Sequence, residues 1–275
     1  MREMTEEEKK RFEEMRARME EAMKAREPYL NQMEACSRVD GDFELPYRLY
    51  VPQIEAGKKY PIVIFLHGIG ECGTDNRRHV VGNDGAPAWL KPLPGTDEPY
   101  FVMAPQLPAP QENGVDPEVE PNIRWTDAAL KGILNALADV EAKYPIDADR
   151  RYLTGLSLGG YGSWMLNTMA PDLFAAVVTC CPACLFLGKG RVYDKGIADS
   201  VPALMNKAVW MFHAEDDPVV PVEVSRKMKA ALEAAGKTDF HFTEYPADRH
   251  YQHACWDAAY ADAEMRQWLF AQRKK

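Results

Sequence analysis

The stretch Gly155-Leu156-Ser157-Leu158-Gly159-Gly160-Tyr161-Gly162 constrains this chain more than any other. It follows a short run at residues 151–154 and leads into residues 163–167, a helix-forming segment. A strand, a sharp turn carrying Gly-x-Ser-x-Gly and a helix, in that order, lift a serine hydroxyl out of a sheet as a nucleophile. The glycines have a steric reason. A strand that reverses directly into a helix leaves no room for side chains two residues either side of the serine. A bare Gly-x-Ser-x-Gly arises by chance in roughly one chain of this length in ten, and its competing reading is a glycine-rich turn with an idle serine. The rest of the chain has to decide.

Strands and helices alternate along it. Residues 43–51 read as an early strand, and 61–66 form the continuous apolar run expected of a central strand covered on both faces. Residues 100–104, 151–154, 174–180, 208–212 and 239–245 read as further strands. Residues 127–143 have helical periodicity, 222–235 form a helix with Pro221 near its start and Gly236 at its end, and 257–272 form a closing helix. This order predicts an α/β fold: a mostly parallel central sheet with helices on both faces. At 275 residues the chain is long enough for one large domain of this kind.

Two segments fit neither class, the Pro-, Asn- and Glu-rich residues 105–122 and the mixed residues 185–203. Both leave the ends of strands, where ligands bind in such sheets, and they are the expected walls of a substrate pocket. Residues 1 to 27 read as one charged helix. Thr5 and Glu8 make a capping box, while Phe12, Met15, Met19 and Met23 fall at helical spacing. That narrow stripe docks the helix on its own domain or, alternatively, makes a homodimer contact. Pro28 and Asn31 break the pattern, giving an N-terminal helical extension at 1–38 and a catalytic domain at 39–275.

Charge and composition exclude some partners. A formal net charge of −9 argues against nucleic acid, which asks for a basic face. No stretch approaches the roughly 18 to 20 apolar residues of a membrane span. The first ten residues lack the apolar core of a secretory signal, so the expectation is a cytoplasmic protein, or a secreted one whose leader has been removed. Of the six cysteines, Cys181 and Cys184 have redox or metal-ligand spacing, but no second pair stands near them. They read as buried thiols, and no metal is expected.

A serine nucleophile needs a base to take its proton, and the base needs an acid to orient it. In this strand-turn-helix arrangement the chain order is serine, acid, histidine, each on a loop after a later strand. The loop after 208–212 carries His213, Asp216 and Asp217; the loop after 239–245 carries His250 and His253. Asp217 directly precedes Pro218 and projects from the turn, whereas Asp216 caps or faces solvent. His213, ending a buried-type run, reads as structural. Both His250 and His253 stand as possible bases. An oxyanion needs two N–H donors, one of them Leu158, the residue after the nucleophile. The other comes from Leu66-His67-Gly68-Ile69-Gly70-Glu71, with Ile69 as donor and Gly70 as the alternative. A phosphate loop is the weaker reading, since a third glycine and a following helix signal are missing.

Taken together, these segments resemble the α/β-hydrolase superfamily, and within it the predicted-peptidase or esterase group related to polyhydroxybutyrate depolymerases and feruloyl or acetyl esterases. The resemblance is carried by residues 66–76, Ala104-Pro105-Gln106, Trp125, residues 144–150, 152–164 and 171–176, Asp217-Pro218-Val219-Val220-Pro221 and His253-Ala254-Cys255-Trp256-Asp257. It covers about residues 40 to 272. The group places its catalytic histidine three residues before the tryptophan, which selects His253. Ala214 departs from the group's usual glycine, the 250–253 stretch is longer than usual, and the N-terminal helix lies outside the shared core. The resemblance implies that Gln106 and Trp125 line the acyl or alcohol pocket, beside Gly70, with a place in the core as the alternative for Trp125. The expected activity is hydrolysis of carboxylic esters through an acyl-enzyme: Ser157 attacks, His253 shuttles the proton, Asp217 orients it, and Ile69 and Leu158 bind the oxyanion. No cofactor is needed. Acetyl or feruloyl esters of plant carbohydrates and short-chain aryl esters are the implied substrates. A serine peptidase with the same triad and a non-catalytic binding protein are the alternatives.

Overall fold

The computed structural model describes residues 5–91, 98–108, 125–186 and 191–274. The Glu8 side chain of the expected capping box, residues 109–122 of one expected pocket wall and 187–190 of the other lie outside the described residues. The chain opens with helix α1 (Glu6–Leu30) and the hairpin β1 (Glu34–Asp40) and β2 (Phe43–Tyr50). Strand β3 (Tyr60–Leu66), the short helices α2 (Arg78–Val81) and α3 (Gly85–Ala88), β4 (Phe101–Pro105) and α4 (Asp127–Lys143) follow. Next come β5 (Ile146–Leu156), α5 (Leu158–Met169), β6 (Ala176–Cys180), the two-residue pair β7 (Leu185–Phe186) and β8 (Arg191–Val192), and α6 (Asp194–Leu204). Strand β9 (Ala208–Ala214), α7 (Glu223–Ala234), β10 (Phe240–Tyr245), α8 (Trp256–Ala261) and α9 (Ala263–Ala271) complete it.

Eight strands form one sheet in the order β1-β2-β4-β3-β5-β6-β9-β10. From β4 to β10 every pairing is parallel; β2 runs antiparallel to both β1 and β4. The run at β3 is buried at all seven positions, as a strand covered on both faces requires. One core lies under α4, α5, α6 and α7, where Leu130, Trp164, Leu204 and Met228 meet Ile62, Leu153 and Met211. The other lies under α2, α3, α8 and α9, where Val80, Trp89, Tyr260 and Leu269 meet Val63, Tyr152 and Phe212.

Four expectations change. The helix at the start runs through Pro28 to Leu30, because its last turns dock: Leu30 is buried, Arg26 pairs with Asp84 at 2.6 Å, and Arg77 holds Glu27. Phe12, Met15 and Met19, on its first turns, are exposed. The closing helix is two. Asp262 adopts an extended backbone and its carboxylate accepts from the N–H groups of Glu264 and Met265, so it ends α8 and caps α9. Residues 194–204 of the expected loop form α6, whose Ile197, Ser200 and Leu204 share the buried face. The junction expected between residues 38 and 39 falls inside β1, which pairs along its length with β2. Among the described residues no helix is long and apolar enough to cross a membrane.

Candidate active site

Strand β5 delivers Ser157 into a turn that the backbone can hold only under constraint. Ser157 sits at φ 52°, ψ −119°, a region non-glycine residues avoid. Its N–H donates to Cys180 O at 2.9 Å, and its carbonyl accepts from Ala183 N at 2.8 Å. Steric exclusion completes the turn. A Cβ on Gly155 would collide with the backbone of Gly159, and one on Gly159 with the carbonyl of Leu66. The glycines two residues either side of the serine thus let α5 start directly against β3.

Two other loops bring their side chains to the serine. His253 Nε2 lies 3.0 Å from Ser157 Oγ, and its Nδ1 lies 2.8 Å from Asp217 Oδ2. Asp217 Oδ1 accepts from the N–H groups of Val219 and Val220 at 2.8 and 2.9 Å. Burial alone would raise this carboxyl. Hydrogen bonds from His213 and His253, with the Val220 amide, outweigh it and hold Asp217 well below the usual carboxylate range. An ionised Asp217 accepts the Nδ1 proton, leaving the Nε2 lone pair for the serine hydroxyl.

The other candidates on these two loops make different contacts. Asp216 accepts from Gln252 N at 3.1 Å and steadies the loop that carries His253. His250 is exposed at the end of a single 3-10 turn, with a left-handed backbone. His213 is fully buried: Nε2 donates to Val220 O at 2.9 Å and lies 3.4 Å from Asp217 Oδ2, while Nδ1 accepts from Ser225 Oγ at 2.8 Å. It braces the Asp217 turn from behind, a role its sequence position did not reveal.

The loop after β3 forms the facing wall. A Cβ on Gly68 would sit 3.6 Å from Ser157 Cβ, so this loop lies directly on the serine. His67 is held neutral, lowered to about 4 by burial. Leu107 N donates to its Nε2 at 2.9 Å, which puts the ring proton on Nδ1, donating to Gly68 O at 2.6 Å. Ile69 begins the one-turn 3-10 helix Ile69–Glu71, and Leu158 begins α5, where backbone N–H groups lack helical partners. Gly70 is exposed, with open space beside it.

Gln106 and Trp125 are fully buried among the described residues rather than exposed. The Gln106 amide donates to Glu71 O at 3.2 Å and Asp75 Oδ1 at 2.8 Å, and accepts from Asn76 N at 2.6 Å. These three bonds tie the 71–76 loop to the end of β4. Trp125 is fully buried, its ring 5.4 Å from that of His67, and it presses on Gly162 of α5. Glu71, absent from the expected site, wedges its side chain between Gly68 and Gly82. Burial raises its carboxyl, with Asn83 and the Gly68 backbone acting against that rise.

Comparison with known proteins agrees with this architecture. Residues 51–257, well over half of the chain, match the phospholipase/carboxylesterase family. A thermostable esterase of known structure is 35% identical, with a TM-score of 0.73, over 88% of this chain and 64% of its own. An acylaminoacyl peptidase from Pyrococcus horikoshii (16% identity, TM-score 0.60) is matched over 88% of this chain and 42% of its own. A ferulic acid esterase (17%, TM-score 0.60) is matched over 86% and 96%. The last two are alike in fold alone. The chain therefore spans less than two thirds of the length of the first two proteins. No curated protein sequence matches it. An eight-stranded sheet of this order, a serine turn between β5 and α5 and the match over residues 51–257 together make this chain a member of the phospholipase/carboxylesterase family, with the α/β-hydrolase fold.

Proposed function

We propose that this protein is a serine hydrolase of carboxylic esters that works through an acyl-enzyme. The observation that carries the reading is the continuous relay Asp217–His253–Ser157, at 2.8 and 3.0 Å, on three separate loops. Ser157 Oγ attacks the ester carbon as its proton passes to His253 Nε2, and Asp217 stabilises the imidazolium that results. The carbonyl oxygen becomes an anion held by the N–H groups of Leu158 and Ile69. His67 supports this role for Ile69: by pinning the Gly68 carbonyl it turns the N–H of the same trans peptide the opposite way. The positive end of α5 points at the same place. Collapse expels the alcohol with the proton from His253, and a water, activated by the same imidazole, releases the acid.

Acetyl and feruloyl esters of plant carbohydrates, with short-chain aryl esters as promiscuous substrates, are the proposed range. The exposed Ile69 and Val219 give the mouth an apolar lip suited to an acyl or aryl group. A panel of acetyl, butyryl and feruloyl esters, run beside matched amides, tests the range. Faster cleavage of the amides would turn the assignment to a peptidase. A fluorophosphonate probe should label wild type and leave Ser157→Ala unlabelled; an adduct that persists in Ser157→Ala removes the proposal.

A further inference from the structure

Behind the catalytic histidine lies a group the hydrolytic mechanism does not use. Cys181 follows β6 and is fully buried, and its Sγ is 3.5 Å from the carbonyl oxygen of His253, to which the thiol donates. Its backbone is left-handed, φ 37°, a conformation in which glycine is at ease and cysteine is strained. The Cys181 sulfur, a carboxylate oxygen of Asp217 and a ring nitrogen of His253 lie within 4.8 Å of one another. Sulfur, nitrogen and oxygen donors in one small cluster are the ligand set of a three-residue zinc site with a fourth, open position.

We propose that Cys181, Asp217 and His253 form a binding site for one thiophilic divalent cation, zinc or cadmium, whose occupancy switches hydrolysis off. The inhibitory half of this rests on the proposed role of His253 in hydrolysis; the binding half does not. The exchange of protons balances without any oxidant. The Cys181 thiol donates a hydrogen bond to the His253 carbonyl, so it is protonated before the metal arrives. On binding, the S–H bond breaks, its proton leaves to solvent and the thiolate bonds the metal. The imidazole stays neutral but shifts its proton from Nδ1 to Nε2, so that Nδ1 bonds the metal beside the Asp217 carboxylate. That tautomer cannot accept the Ser157 proton. Bonds of roughly 2.0 to 2.3 Å to the three atoms ask the Cys181 sulfur to draw in by about 1 Å and the Asp217–His253 pair, 2.8 Å apart, to open slightly. The His253 side chain is 21% exposed while the Asp217 and Cys181 groups are buried, so the metal enters past the imidazole and inhibition should develop with time.

The test uses the whole chain, kept reduced, with zinc chloride for inhibition and cadmium chloride for the thiolate-to-metal absorption band. Wild type should lose hydrolysis at micromolar zinc, regain it with EDTA, and give one cadmium–thiolate band per chain. In Cys181→Gly, which suits the left-handed backbone, and in Cys181→Ser, half-inhibition should need at least about 10- to 100-fold more zinc, and the band should vanish. Inhibition unchanged in both variants overturns the site. So does a band that survives them and disappears in Cys255→Ala. If wild type hydrolyses no ester at all, the band and its loss in Cys181→Gly still uphold the metal site, and only the hydrolytic reading falls.

Discussion

The two walls that face Ser157 are built on opposite principles. On one side, the turn from Gly155 to Gly159 is held by exclusion: backbones approach so closely that no side chain fits. On the other, the loop from His67 to Asn76 is held by polar side chains, with Gln106 and the Leu107 amide reaching in from the end of β4. The steric wall is partly local, since Gly155 meets Gly159 within the turn, although Gly159 itself abuts Leu66 of β3. A polar wall needs partners that only the sheet brings near; Gln106 is 30 residues from Asn76, and Leu107 is 40 from His67. The first should therefore fail through loss of the fold, the second through loss of turnover.

The largest effect belongs to the steric wall. Gly159→Ala must push β3 away from α5, and it is expected to cost more than about 4 kcal/mol or to prevent folding. Chemical denaturation checks this, and a variant as stable as wild type would break the comparison.

Acid comes next. Burial keeps His67 neutral to about pH 4, and His79 is lowered in the same direction. The unfolded chain binds these protons near 6.5 and the fold does not, so stability is full above that value and falls as pH drops from 6.5 towards 4. His67 alone contributes about 3 kcal/mol across that window. Glu71, raised by burial, runs the other way, so the loss should be steeper in Glu71→Gln. A denaturation midpoint that is flat from pH 7 to about pH 4.5 in that background would contradict the buried neutral histidines.

Gln106→Leu keeps the volume and removes three hydrogen bonds from the polar wall. Turnover should fall by about 10- to 100-fold, below the cost of deleting an oxyanion donor outright, with KM little changed. Steady-state kinetics separate the two, and an effect confined to KM would mean that this residue meets substrate after all. The smallest effect is expected far from both walls. Phe12→Ser on the exposed stripe of α1 should alter stability by no more than about 0.5 kcal/mol. A larger loss that depends on protein concentration would mean that a second chain covers the stripe.

Much of this was legible in the chain. Residues 127–143 form α4 with the boundaries their periodicity predicts, and the strands that carry the site overlap the segments read as strands, although β5 starts five residues before the expected 151–154. Where local chemistry competes with periodicity, the reading slipped: the capping carboxylate of Asp262 splits one expected helix, and the mixed composition of α6 hid its buried face. Gln106 stood out through the family resemblance alone, and nothing local says whether its amide turns to a ligand or to a loop.

The sequence by itself marked the strands of the sheet, the glycine-framed turn at Ser157 and the chain order of serine, acid and histidine, because residue type and spacing along a few neighbouring positions carry each of these signals. Tertiary structure decided which aspartate meets which histidine. It buried Gln106 and Trp125 behind the loop that follows β3, and it set Cys181 against the His253 loop. Those outcomes depend on distances between strands β4, β6, β9 and β10, and such distances exist only once the sheet has closed.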